Sequence, residues 1–392
     1  MQKPSLLAVF LTVVIDLLGF GIVLPLLALY GDEYQASELT IGLLFSSFSA
    51  MQFVTAPIWG RLSDRYGRRR VILFGLFGSV LSYLLFAAAP SMSAPLFWLF
   101  ASRTTAGIFG GTLSSAQAYI ADVTTPEERG RGMALIGVAF GIGFTLGPAI
   151  GGLGWKLDPS APGLIAAVFS AFAFLFAWFK LVEPERAQEH RANKWFDIDA
   201  LKSALRTPGV GAILAMAFVT VGVFALFESS LSLLGKKQYG WDPDDVGWLF
   251  SYIGFCSMIS QGVIVRRLLK KVGELPLLLV GPVLLAIGMV LIGTLPSATM
   301  LWVIAPLPVL GLGMIMPSLG SLLSRRTEAS QQGGVLGVNQ SLQSLSRIVG
   351  PVLGLSLFAS GAGLPFLAGA GLMVIPLVLG FRLKGVRVED RY

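Results

Sequence analysis

Four ionisable residues stand where charge is costly: Asp16, Arg103, Glu228 and Arg347 each interrupt a long apolar run. A charge at the centre of a hydrocarbon layer costs at least about 2.5–3.5 kcal/mol, so such a group faces a partner or a cavity. At ~1.5 Å per helical residue, Asp16 falls about 16 Å in from one end of its run and Arg103 about 12 Å in from the opposite end of its own, so the two can meet in depth. Desolvation disfavours an ionised carboxylate and a nearby guanidinium favours it. A pair whose separation changes can therefore bind and release a proton near neutral pH. Asp16 is the leading proton-coupling candidate with Arg103 as its modulator; a static ion pair is the competing reading. Glu228 reads as a site for a proton or a cationic group, or as a carboxylate reaching an interface. Arg347 reads as its partner or as an attractor of anions. Phe20, Phe224, Phe227 and Met314 are the apolar candidates for lining a binding cavity, although such side chains more often meet neighbours or lipid.

The elements that must hold these residues are membrane helices. Of 392 residues 54% are hydrophobic and 13% charged, and the mean hydropathy is +0.75, more apolar surface than a water-soluble domain covers. Twelve apolar runs, from 5–30 to 363–383, are each long enough for a ~30 Å hydrocarbon layer. They are apolar on every face, which excludes the alternating ten-residue strands of a barrel and leaves helices as the spanning solution. The predicted fold is all-α: twelve transmembrane helices in two pseudo-symmetric six-helix bundles around a central cavity.

Basic residues set the orientation. With the N-terminus inside, Lys156, Lys236 and Lys237 fall outside and Arg103 and Arg347 within spans, while every other Lys and Arg falls on the cytoplasmic side. Both termini are expected in the cytoplasm of a cell whose inner membrane holds the chain. The net charge of +7 is then a topology signal and a contact with anionic lipid, not a nucleic-acid footprint. The first run carries Asp16 and reads as a retained helix. Cys256 lies inside a span and His190 in a central loop, which leaves no disulfide and no metal cluster.

The chain divides into an N-terminal bundle (1–183), a cytoplasmic linker (184–207) with an amphipathic helix, and a C-terminal bundle (208–392). Trp195, Ile198, Leu201 and Leu205 supply the helical spacing in the linker. A faint repeat at an offset of about 203–206 residues sets Gly147-Pro148 and Gly151 against Gly350-Pro351 and Gly354, and Asp16 against Thr220. Glu228 falls about two turns beyond that counterpart.

Two motifs remain. Gly60-Arg61-Leu62-Ser63-Asp64-Arg65-Tyr66-Gly67-Arg68 forms a tight turn between the second and third spans. Gly60 and Gly67 suit close backbone packing, and Asp64 suits a helix N-terminus or exchange among Arg65 and Arg68. It reads as a conformational latch. Gly143, Gly147, Pro148, Gly151 and Gly152 place small residues at four-residue spacing around a proline, which suits a closely packed, bendable fifth helix. The turn resembles the signature loop of the major facilitator superfamily, and the second motif is similar to that of its antiporter members. With Ala101-Ser102-Arg103 to Gly107, Asp16 to Gly21 with Pro25, and Ile120-Ala-Asp122, the whole chain resembles the twelve-helix drug/proton antiporter branch, tetracycline-efflux-like members in particular.

That resemblance implies proton-coupled export of small amphipathic or drug-like molecules by alternating access, with a proton as coupling ion, no cofactor, no metal, a lipid bilayer around it and a monomeric state. An importer or exporter of an endogenous metabolite or lipid is the alternative. Where tetracycline exporters carry an acid in the third span this chain has Ser82, some carry a His in the eighth where it has Ser257, and the ninth has no acid beyond Glu274. Tetracycline itself is therefore not carried over as substrate. With no phosphate loop and no intramembrane His, neither ATP-driven transport nor enzyme chemistry is expected.

Overall fold

The computed structural model describes residues 5–184, 209–295, 297–327 and 332–385, and among these every regular element is a helix. Most of the predicted linker, with its amphipathic helix, lies outside the described residues. The first half runs α1 (Leu6–Val23), α2 (Leu27–Glu33), α3 (Glu38–Tyr66), α4 (Arg68–Ala88), α5 (Pro95–Ile108), α6 (Thr112–Val123), α7 (Pro126–Leu157) and α8 (Ala161–Lys180). The second runs α9 (Val210–Tyr239), α10 (Pro243–Ile259), a π-helical turn (Ser260–Val265), α11 (Arg266–Val272), α12 (Glu274–Gly293), α13 (Ala298–Ile304), α14 (Pro306–Arg326), α15 (Gln332–Phe358), α16 (Leu364–Leu372) and α17 (Val374–Gly385).

Local chemistry sets many of these boundaries. Ser5, Ser37 and Ser297 accept hydrogen bonds from the backbone N–H groups of Ala8, Thr40 and Met300 and so cap α1, α3 and α13. Pro95, Pro126, Pro243 and Pro306 open their helices, where a missing N–H costs nothing. Ten passages, taking helices together across short breaks, are long and apolar enough to cross a membrane. Two further passages match the remaining expected spans. One is broken after Ile108 into helices of 14 and 12 residues, and the other, α15, is rich in Gln, Asn and Ser.

Packing divides the chain into two units. The first comprises residues 1–195 with 235–255, the second 196–234 with 256–392. In the first, α8 shows how a membrane helix sorts its faces: Ala166, Ser170, Ala173 and Ala177 are buried, while Val168, Phe172, Leu175 and Phe179 are exposed. Small residues turn inward so that helices approach, and large apolar ones meet lipid. Val9, Val13 and Leu17 of α1 pack with Ile72 and Leu76 of α4, Tyr119 and Ile120 of α6, and Ala139 of α7.

The backbones of α1 and α7 approach closely. A Cβ on Gly143 would lie 2.8 Å from the Leu17 carbonyl oxygen, and one on Gly147 2.7–2.8 Å from the Gly21 backbone. Gly151 stands against the Ile22 carbonyl in the same way. The other side of α7 meets residues 235–255: a Cβ on Gly152 would lie 2.6 Å from the Asp244 Cα, and one on Gly247 2.5 Å from the Pro148 oxygen. The Ala149 N–H donates to Ser251 Oγ at 2.9 Å.

The three lysines expected outside are all paired in this unit. Lys236 reaches Asp32 and Glu33, both at 3.2 Å, Lys237 reaches Glu38 at 2.7 Å and Asp32 at 3.4 Å, and Lys156 reaches Asp244 at 2.5 Å.

The second unit repeats the glycine contact. Gly350 of α15 stands against the Gly222 carbonyl of α9, and a Cβ on Gly354 would lie 2.8 Å from Leu226 Cγ. The motif pair that the sequence sets in register thus packs on the first helix of its own half in both cases. Val265, Leu277 and Met314 form a small apolar cluster beside the π-helical turn.

These contacts give a matched pair of substitutions on α7. A Cβ at Gly137 meets nothing within 4 Å, whereas at Gly147 it meets backbone. Gly147→Ala should lower stability by about 1–3 kcal/mol through forced displacement of α1, while Gly137→Ala should leave it unchanged or raise it by up to about 1 kcal/mol. Thermal unfolding of the purified protein in detergent checks both.

Candidate functional site

The stripe Ser79, Ser82, Tyr83 and Phe86 on α4 has spacing i, i+3, i+4, i+7 and forms one helix face. It brings the two predicted coupling residues to opposite flanks. Asp16 of α1 is half-buried, has the Ser79 hydroxyl as its polar neighbour, and keeps its Oδ1 buried without a partner. Arg103 of α5 is 1% exposed. Its Nη2 donates to Ser82 Oγ at 3.4 Å and Ser102 Oγ at 3.3 Å, and its Cζ lies 5.8 Å from the Tyr83 ring centroid and 5.6 Å from that of Phe86. Ser82 in turn donates to the Ser102 carbonyl at 3.0 Å.

Asp16 and Arg103 form no ion pair with each other. The static pair considered from the sequence is absent because each charge is solvated separately, one by a hydroxyl and the other by hydroxyls and aromatic faces. Ser79, Tyr83 and Phe86 were not singled out from the sequence. Their i, i+4 and i, i+7 spacing was the available signal, and it is indistinguishable from ordinary helix packing until a charge is seen to face it.

In the second unit Glu228 is half-buried and Arg347 exposed, and each is the other's charged neighbour without closing to ion-pair distance. Phe224 and Phe227 lie with ring centroids 5.7 Å apart. Phe227 is 1% exposed and packs edge-on against Phe366, and Met314 is buried in the cluster with Val265 and Leu277. In the first unit the half-buried Phe20 meets Phe48 at 5.5 Å and Phe144 at 5.9 Å.

The turn at residues 60–68 is built differently from the sequence expectation. Gly60 has nothing within 4 Å of a notional Cβ, so it mediates no close packing. It borders instead a cleft of about 250 Å³ lined by Ser63, Asp64, Arg68, Ser115 and Asp122. Gly67 does need its glycine: at φ +108° it starts α4, and the Glu183 carboxylate fills the space beside it. Glu183, not Asp64, occupies the helix N-terminus, accepting from the N–H groups of Arg68 at 2.6 Å and Arg69 at 3.1 Å. Asp64 instead pairs with Arg68 at 2.5 Å one turn on, and Arg68 also reaches Asp122 at 2.8 Å. Arg65 lies over the Tyr66 ring at 5.3 Å. Arg69 donates to the carbonyls of Trp178 and Leu181 at the end of α8, at 2.6 and 2.7 Å. The ends of α4 and α8 therefore cap each other with opposite charges.

The model of the Major Facilitator Superfamily matches residues 9–351 and, separately, 231–389. The chain belongs to the major facilitator superfamily. Among its relatives, the tetracycline resistance protein, class C, of Escherichia coli is 31% identical over 390 residues, covering 96% of each chain. The class G protein of Vibrio anguillarum is 32% identical over 372 residues, covering 92% of each. Among solved structures, the human organic anion transporter MFSD10 (TETRAN) superposes with a TM-score of 0.73 at 28% identity, covering 97% of this chain and 100% of that one. The protein is a multi-pass membrane transporter and not an enzyme.

The capping geometry carries its own test. Glu183→Ala removes the charge at the α4 N-terminus and should cost about 0.5–2 kcal/mol of stability. Thermal unfolding in detergent at low and high salt measures it, with the difference from the parent shrinking as salt screens the interaction.

Proposed function

We propose that this protein is a proton-coupled exporter of small amphipathic or drug-like molecules that works by alternating access, with Asp16 as the coupling carboxylate. The observation that carries the reading is a carboxylate in the middle of a membrane helix with one oxygen unpartnered and no cation paired to it. A carboxylate locked to a guanidinium would stay ionised, whereas one held by a single hydroxyl can cycle between its protonated and ionised forms. The likeness to tetracycline resistance proteins along almost the whole chain supports drug-like substrates. The resemblance implies an acid in the third span of tetracycline exporters, and this chain has Ser82 there as an acceptor for Arg103, which supports a substrate other than tetracycline.

In this reading the halves are 1–183 and 208–392, both termini are cytoplasmic, the monomer suffices, and the lipid around it is solvent. Loop 60–68 is the cytoplasmic latch, and α7 with its Gly143–Gly152 motif is the close-packed element that the cycle works against. One proton entering down ~100 mV releases about 2.3 kcal/mol, which at ~1.36 kcal/mol per tenfold sustains roughly a 50-fold gradient of a neutral substrate.

A second reading rests on Arg347. It is exposed within α15 and opposite Glu228, and the human organic anion transporter MFSD10 is similar along the full chain. Here the substrate is an organic anion, an endogenous metabolite or lipid, and Arg347 attracts it while Glu228 takes the proton.

Proteoliposomes with an imposed pH gradient and a panel of labelled cationic, neutral and anionic amphiphiles separate the two. The parent should accumulate cationic or neutral compounds and Asp16→Asn should lower gradient-driven accumulation at least tenfold. Selective accumulation of anions, lost in Arg347→Gln, establishes the second reading. Undiminished accumulation by Asp16→Asn overturns Asp16 as the coupling group.

A further inference from the structure

We propose that Tyr83 is a positioning residue, a spacer that keeps the Asp16 carboxylate and the Arg103 guanidinium from closing into a permanent ion pair. The inference rests on Asp16 being the coupling carboxylate. Two contacts and its burial fix the ring. Its edge stands against Gly19, one turn along α1 from Asp16, where a notional Cβ would lie 3.0 Å from Tyr83 Cε2. Its face takes the Arg103 Cζ at 5.8 Å. The side chain is 4% exposed, so it has no room to swing aside in this packing.

Tyr83 thus touches α1 beside Asp16 on one side and Arg103 of α5 on the other. The aromatic ring therefore stands between them. Phe86, one turn further along α4, has its ring centroid 5.6 Å from the Arg103 Cζ, and Ser82 and Ser102 accept from the Arg103 Nη2. Arg103 is thus held by Ser82, Tyr83 and Phe86 of α4 and by Ser102 of its own helix.

The groups around this pair are few. From α1 the titratable group is Asp16, from α5 it is Arg103, and α4 contributes Tyr83 with the hydroxyls of Ser79 and Ser82. On α7, residues 133–155 include no ionisable side chain, and on α8, residues 161–179 include none, leaving the Ser170 hydroxyl near Gly19. Removing the ring opens the space it fills between α1 and α5, and the attraction of carboxylate and guanidinium across a low-dielectric interior draws them together. A carboxylate beside a guanidinium needs more acid to protonate.

The test reads the carboxyl directly, without a substrate. Infrared difference spectra of the purified full-length protein follow the protonated-carboxyl band that Asp16→Asn removes, as a function of pH. In Tyr83→Ala and Tyr83→Leu the midpoint of that band should fall by about 1–3 pH units. Tyr83→Phe, which keeps the ring and loses the hydroxyl, should restore the parental midpoint. Adding Arg103→Gln to Tyr83→Ala should return the midpoint to that of Arg103→Gln alone. Tyr83→Leu retains much of the packing volume, so a folded protein without the ring is available if Tyr83→Ala does not accumulate. The proposal is overturned if the midpoint stays within 0.3 units, taken as about the reproducibility of such a titration, in the ring-less variants, or if the fall persists without Arg103. Failure of the coupling role is a separate result, namely gradient-driven accumulation that survives Asp16→Asn.

Discussion

The backbones of α1 and α7 touch with no side chain between them, and the position of Asp16 follows from that contact. Gly143 stands on the Leu17 carbonyl, Gly147 on Gly21 and Gly151 on Ile22, at a repeat of four residues along α7. Any Cβ at these positions collides with main chain, which cannot yield as a rotamer does. The contact fixes the rotation of α1 about its own axis. Leu17 turns its backbone to α7, and Asp16, one residue and ~100° earlier, faces the Ser79 side of α4. The same arrangement recurs between α15 and α9 through Gly350 and Gly354, so the duplication faint in the sequence persists as a packing rule.

Within that frame the chain treats its charges in two ways. At the ends of helices they neutralise one another. Glu183 caps α4, Arg69 caps α8, Arg68 bridges Asp64 and Asp122, and Lys156, Lys236 and Lys237 are all paired with carboxylates. The exposed pairs among these contribute little each, about 0–1 kcal/mol, and are readily exchanged, whereas Arg68 and Asp122 are largely withdrawn from solvent. Inside the bilayer the treatment is the reverse. Asp16 and Arg103 are kept apart, each held by neutral groups, and Glu228 and Arg347 face one another without closing. Groups so held retain free-energy differences that a bound proton or ligand can change.

How much of this was legible in the sequence depends on the kind of signal. Spans were readable because hydropathy over about 20 residues is a sum, and a sum tolerates local irregularity such as the break after Ile108 or the π-helical turn at Ser260–Val265. Intramembrane charges were readable because each is individually expensive. The glycines of α7 were readable as a period of four. Partners across helices were not: Ser79, Tyr83 and Phe86 are residues that any membrane helix contains, and only the rotation of α4 against α1 and α5 gives them their task. Glu183 was hidden for a related reason, since it lies 115 residues from the N–H group of Arg68 that it caps and no local rule links the two. Gly60 misled in the opposite direction, because a glycine in a motif invites a packing explanation and here it borders a cleft.

Arg103 has a consequence that extends beyond its neighbours. A guanidinium keeps its proton in proteins, so α5 carries a fixed positive charge sealed in an aromatic and hydroxyl cage within the insulating layer. A shift of this helix along the bilayer normal displaces that charge through the membrane's electric field and appears as current in the external circuit. In the alternating-access cycle proposed above, such a step is electrogenic in part even when nothing is bound or released.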